Sequence, residues 1–130
     1  MPHIPMQHDE DPKQTLLKAL GDFKKLEVFN NQVLCAVYIR PEKTKGGIVL
    51  PEQHLQEDRS QSKVGLVIKM GPDAFQDSSG SWFKDTNIQI HDWVFFKPSD
   101  GWGVTVNGVL CRMLDDINVR GRISHSDLVW

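Results

Sequence analysis

The residues able to do covalent or metal chemistry are few in this chain, and their spacing argues against both. Five histidines stand at positions 3, 8, 54, 91 and 125, too scattered to suggest the four convergent ligands that a structural zinc ion takes. Cys35 and Cys111 each lie inside an apolar run, Val33 to Val37 and Val109 to Leu114, where a cysteine behaves as a small buried hydrophobe. There is no Cys-x-x-Cys pair. A Cys35–Cys111 bridge stays open on sequence, although a reducing cytosol disfavours it. Asp115-Asp116 is a carboxylate pair, but neighbours on a strand point to opposite faces and so do not form a dyad. The glycine patterns of dinucleotide and phosphate loops are missing, as is the Gly-x-Ser-x-Gly elbow of a serine hydrolase. Neither an enzyme nor a bound cofactor or metal is expected.

What remains is the chemistry of binding. Pro41-Glu-Lys-Thr-Lys-Gly-Gly-Ile-Val-Leu-Pro51 places Ile48, Val49 and Leu50 between Gly46-Gly47 and Pro51. The polar chain on both sides, through Lys63, cannot bury enough surface to order itself. Long irregular segments inside compact domains are uncommon and are generally functional or disordered. Two readings stay open on pattern alone: a loop that presents an apolar tripeptide to a partner, and a short edge strand docked on its own barrel.

The elements that position this segment follow from periodicity. Residues 1–11 carry two prolines and an acidic cluster, and resemble a loose arm. Asp11-Pro12 supplies an N-cap residue and then proline at the first helical position, where its missing N–H does no harm. Leu16, Leu17, Leu20 and Phe23 recur at helical spacing, which predicts a helix near residues 12–25 docked by its apolar stripe. Gly21 weakens its middle by about 1 kcal/mol relative to alanine.

Beyond residue 28 the texture changes to short β-branched and aromatic runs separated by turns. Strands are expected at 32–40, 64–70, 93–97, 104–106 and 109–114, with shorter ones near Ile88–Ile90 and at 117–123. Phe75 and Trp82-Phe83 flank the turn Asp77-Ser78-Ser79-Gly80 and read as a hairpin. Asn107-Gly108 is a type I′ hairpin signal. Many short strands with Gly, Pro and Asn turns indicate a mostly β chain, a small barrel or sandwich. The sequence divides into an N-terminal helical extension (1–27), a β domain (28–123) with a loop at about 41–63, and a tail (124–130).

These pieces, taken in order, resemble the GroES-like co-chaperonin family. Gly46-Gly47-Ile48-Val49-Leu50 in a polar loop is similar to the family's mobile loop. Lys63-Val64-Gly65-Leu66-Val67-Ile68-Lys69-Met70-Gly71 resembles the strand leaving that loop, and the Phe75–Phe83 hairpin falls where the family has its roof hairpin. His91-Asp92-Trp93-Val94-Phe95-Phe96 resembles the family's Gly-Asp-x-Val-x-Phe, with histidine in place of glycine. Gly101-Trp102-Gly103-Val104 resembles its Gly-Tyr-Gly-Val turn, and Val109 to Met113 with Asp116-Ile117 its closing strands. Each piece is short; their collinear order carries the resemblance. The chain departs from the pattern in its N-terminal extension, its tail, and Leu26 to Leu34, which lacks the family's Arg-Pro-Leu-x-Asp-Arg start. Such an extended member resembles phage-encoded co-chaperonins.

The resemblance implies a small GroES-like β-barrel that caps a chaperonin ring as a homo-heptamer and encloses an unfolded client. Gly46, Gly47, Ile48, Val49 and Leu50 would bind the chaperonin, and nucleotide would sit on the partner ring, not on this chain. Phe75, Trp82, Phe83 and Trp102 would be roof or cavity-facing residues, the other readings being a small satellite core for the first three and packing beneath a hairpin for Trp102. The alternative is a virion-associated or other structural module that uses the same barrel without chaperonin binding, with the helix as an anchoring arm.

Charge excludes other partners. The net charge is −2, with 15 basic and 17 acidic residues spread along the chain, whereas nucleic-acid binders carry a basic stripe. Lys13, Lys18, Lys24 and Lys25 fit the solvated face of a helix. No apolar run approaches the 18 or so residues of a membrane span, and the start lacks the features of a signal peptide. The expected location is the cytoplasm, the bacterial host's if the chain is phage-encoded.

Overall fold

A computed structural model of the chain describes residues 11–39, 62–76, 83 and 86–128. Helix α1 (Pro12–Leu20) starts as the sequence dictates: the Asp11 side chain accepts a hydrogen bond from the Lys13 N–H at 3.0 Å, and proline follows it. It stops at Leu20 rather than at residue 25. Gly21 adopts a positive φ of 62° and donates its N–H to the Leu17 carbonyl, so the glycine ends the helix instead of weakening its middle. The apolar stripe nevertheless packs as one face. Leu16, Leu17 and Leu20 from the helix, then Phe23 and Leu26 from the turn after it, cover the same core.

Among the described residues there are six strands, β1 (Gln32–Val37), β2 (Val64–Met70), β3 (Trp93–Phe95), β4 (Trp102–Val106), β5 (Val109–Asp115) and β6 (Gly121–Ile123). They form one sheet in the order β4-β5-β1-β2-β3-β6 with every pairing antiparallel. The central strand β1 is buried on both faces because side chains alternate. Leu34 and Ala36 face α1, with Tyr38 just beyond, while Val33 and Cys35 face the other side.

That second face is the inside of a barrel. If flat, the sheet would hold β3 and β4 four strand spacings apart, about 19 Å. Only residues 96–101 join them, and these fold back in a turn closed by the Asp100 N–H on the Lys97 carbonyl. The sheet must therefore curl. Val33, Cys35, Val67, Val94, Phe96 and Leu114 fill its interior. Arg112 helps to tie the ends: its guanidinium lies 5.4 Å from the centre of the Phe96 ring and donates to the Pro98 and Asp100 carbonyls at 2.5 and 2.9 Å.

One irregularity serves the helix side. Leu34 pairs with Lys69 but Cys35 with Val67, a bulge that leaves Ile68 extra. It lets Ile68 pack beneath the α1 cover while Lys69 reaches the Lys24 and Leu26 carbonyls and the Phe23 ring.

Several sequence expectations need correction. Ile88 is buried and Ile90 exposed, but no strand forms there. The stretch 117–123 is not one strand: Asp116–Asn118 makes a 3-10 turn and only Gly121–Ile123 pairs, against β3. In the tail, Ser126–Leu128 is another 3-10 turn, with Ser126 fully buried. The two cysteines are free and sit on opposite faces of the sheet, Cys35 inside the barrel and Cys111 under the helix, which rules out a bridge between them.

Candidate functional site

Strand direction separates the two regions singled out from sequence. β1 runs away from the turn at 29–31 and ends where the 40–61 segment begins, while β2 starts where that segment returns and runs back to Gly71. The loop therefore leaves one end of the barrel and the Phe75 region sits at the other, roughly 20 Å away along a six-residue strand. Gly46, Gly47, Ile48, Val49, Leu50 and Trp82 lie outside the described residues.

At the neck, the Tyr38 N–H donates to the Val64 carbonyl at 2.9 Å, extending the β1–β2 ladder by one bond past the last strand residue of β1. Ser62 is wholly buried, and its hydroxyl reaches the Tyr38 carbonyl at 3.0 Å and the Val64 carbonyl at 3.3 Å. Lys63 accepts the Phe96 N–H at 2.8 Å, so the returning chain is held on both sides. The Tyr38 ring packs edge-on against Trp93, with centroids 5.8 Å apart. A groove lined by Leu16, Tyr38, Ile39 and Leu110 runs beside this neck, so the first turns of α1 border the place where the loop emerges.

At the far end, Asp116 is the organising residue. Its buried carboxylate accepts the Phe75 N–H at 3.0 Å and the Asn31 side-chain amide at 3.2 Å, while its own N–H bonds the Asn31 carbonyl. The first of these bonds supports Phe75 in left-handed backbone, φ 60°, which a residue with a large side chain seldom adopts. Phe75 then meets Phe83 edge to face, centroids 5.5 Å apart. Asp115 points elsewhere and accepts from the Gln32 side chain at 2.6 Å, so the adjacent carboxylates are not a dyad. Trp102 stands 62% exposed on the edge strand β4. Phe29 and Ile117 are also exposed toward this end.

Sequence reasoning expected a loop at about 41–63 and a hairpin at 75–83, both largely outside the described residues, with Phe75 in a turn; it missed Ser62, Tyr38 and Asp116 as the residues that fix the two ends. Ser62 sits in a polar run with nothing to mark it; only burial does. The Asp-Ile pair was visible as a motif, not as a hub.

A small antiparallel barrel with a long insertion at one end and an aromatic turn at the other is the architecture of a co-chaperonin subunit. The model of the chaperonin 10 Kd subunit family, Cpn10, matches residues 25–123, and the chain belongs to this family. The match begins after α1, which is an addition to the family's barrel. None of the curated proteins matches the chain significantly. Membership gives the chain a co-chaperonin role, and the family is not one of enzymes. Among the described residues no helix is long and apolar enough to cross a membrane.

Proposed function

We propose that this chain caps a chaperonin ring by docking Ile48, Val49 and Leu50, flanked by Gly46 and Gly47, into an apolar site on each chaperonin subunit. The observation that carries this reading is the coincidence of the family match with the position of the insertion: the apolar tripeptide lies in the long segment between β1 and β2, above a neck that the barrel holds closed. Burying three such side chains is worth about 5–9 kcal/mol, and ordering a segment on binding costs about 2–5 kcal/mol. A single loop then binds weakly, at roughly millimolar. A homo-heptameric ring of loops gains orders of magnitude through effective concentration, so small nucleotide-driven movements in the partner attach or release the cap. The nucleotide belongs to the chaperonin. Phe75, Trp82, Phe83 and Trp102 are assigned to the roof and the face toward the enclosed client. The setting is the cytoplasm, that of a bacterial host if the chain is phage-encoded.

The rival reading is a structural module anchored by its N-terminal helix, and the packing of that helix counts against it. Leu20 is buried in the chain's own core, and Leu16 and Leu17 pack against it. The deciding test is co-sedimentation with a bacterial chaperonin, with and without nucleotide, beside an Ile48→Glu variant. Nucleotide-dependent binding that the variant loses is expected; a folded protein that binds in no nucleotide state overturns the reading.

A further inference from the structure

We infer that Ser62 is a positioning residue for partner binding: acting through Tyr38, it fixes the two points between which the docking segment is strung. This rests on the proposed docking of Ile48 to Leu50 and adds to it a residue that touches no partner.

The geometry is unusual for a serine in a polar run. Its side chain is fully buried, at the end of the barrel where the sheet stops. One hydroxyl proton serves two carbonyls, and the nearer, at 3.0 Å, is that of Tyr38 on the opposite limb. The Val64 carbonyl already accepts the Tyr38 N–H, so Ser62 turns a single ladder bond into a cross-braced closure. Tyr38 is pinned from a second direction by Trp93, and Lys63 by Phe96. The backbone beyond this brace starts at Ile39 and returns at Gln61. Without the brace, the chain frays back to the Tyr38–Val64 bond and then beyond it. In the proposed docking, residues released at the neck add to the conformational freedom lost on binding, and the tripeptide is presented from a less defined base. The brace thus lowers the ordering cost at every loop of a ring, and multivalency multiplies any change in that cost.

The test compares Ser62→Ala, Ser62→Thr and a stability control, Leu114→Val, in the full-length protein, with Ile48→Glu to check the docking reading itself. Leu114 is buried on the inner face toward the other end of the barrel, so its variant lowers stability without touching the neck. Three quantities are read: thermal unfolding, amide exchange at Tyr38, and nucleotide-dependent affinity for a bacterial chaperonin. Ser62→Ala is expected to raise exchange at Tyr38 about five-fold, the equilibrium worth of one buried hydrogen bond. It is also expected to weaken chaperonin affinity by at least as much, with Ser62→Thr restoring both and Leu114→Val weakening neither. If Ser62→Ala binds as the parent does while its neck exchanges faster, the inference is overturned and Ser62 is structural only. Equal losses of affinity in Ser62→Ala and Leu114→Val overturn it as well. If Ile48→Glu binds normally, the docking reading itself has failed, whatever Ser62 does.

Discussion

Leu20→Ala tests whether α1 is part of the barrel or an arm laid upon it. Leu20 is completely buried in the last turn of the helix, in a cluster with Leu34, Ala36 and Trp93. Burial of this kind makes leucine-to-alanine changes cost about 2–5 kcal/mol. The site lies under a short helix whose neighbours can partly collapse, so we expect about 3 kcal/mol. The same helix end is held by a residue far away in sequence: the Asn107 side-chain amide donates to the Leu20 and Asp22 carbonyls at 2.6 and 3.0 Å. Asn107 also takes a positive φ of 49° in its turn. Asn107→Gly keeps that backbone accessible and removes only the cap, at a cost of about 1–2 kcal/mol. Because both changes loosen one unit, the double variant should cost less than the sum. Urea unfolding followed by tryptophan fluorescence reads this, Trp93 being buried in the same cluster. With a slope of about 2 kcal/mol/M, Leu20→Ala should move the midpoint by about 1.5 M. A shift below about 0.3 M would mean that the helix is an independent arm, and would refute the packing argument.

Further outcomes follow from other parts of the barrel. Gly101→Ala should cost about 2 kcal/mol or more, because φ is 68° there and a Cβ would run into the Met113 carbonyl; an unchanged melting temperature would contradict this. Burial pushes the Cys111 thiol up to about 11, and burial together with the nearby Cys111 pushes Cys35 higher still. Unfolded thiols titrate near about 8.5, so the unfolded chain loses protons first and stability should fall as pH rises above that value. The companion check is a thiol titre at pH 8, with neither cysteine reacting until denaturant is added. Partial burial opposes ionisation of Asp100, but hydrogen bonds from Arg120 and the Lys97 N–H, with the charges of Arg120 and Lys97, outweigh it and hold the carboxyl below its usual range. A lowered carboxyl pKa stabilises the fold above about pH 4 and is lost as pH falls through the folded value. Asp100→Asn should therefore flatten the acid limb of melting temperature against pH, and an unaltered limb would count against the Asp100–Arg120 pairing.

The parts legible in sequence were those decided by neighbours in the chain. Asp11-Pro12 announced the helix start because a cap and a fixed φ act within one turn. Asn107-Gly108 announced its hairpin because both residues tolerate the positive φ that the turn requires, 49° and 81°. β2 was bounded correctly at Val64–Met70 by Gly71-Pro72 and the polar run before it. The helix end was misplaced because apolar spacing continues to Phe23 whether those residues come from a helix or from the turn after it. Ile88–Ile90 misled for a related reason: two isoleucines satisfy a period of two, yet among the described residues no strand pairs with them. The collinear motifs pointed to a loop and an aromatic hairpin whose central residues lie outside the described ones, and nothing local distinguished Ser62 from the other polar residues of its run.

By itself, then, the sequence determined a small mostly β chain with a helical extension, an apolar tripeptide in a polar segment, and membership of a co-chaperonin family. Those features are written in local propensity and order, which survive without knowledge of contacts. Tertiary structure alone decided which sheet face the helix covers, that the two cysteines lie on opposite faces, and that Asp116 rather than a dyad organises the far end. It also decided that a buried serine closes the neck. Each of these depends on residues tens of positions apart meeting across a curled sheet. Short-range pattern carries no information about such meetings, because strand order and curvature, not spacing, bring them about.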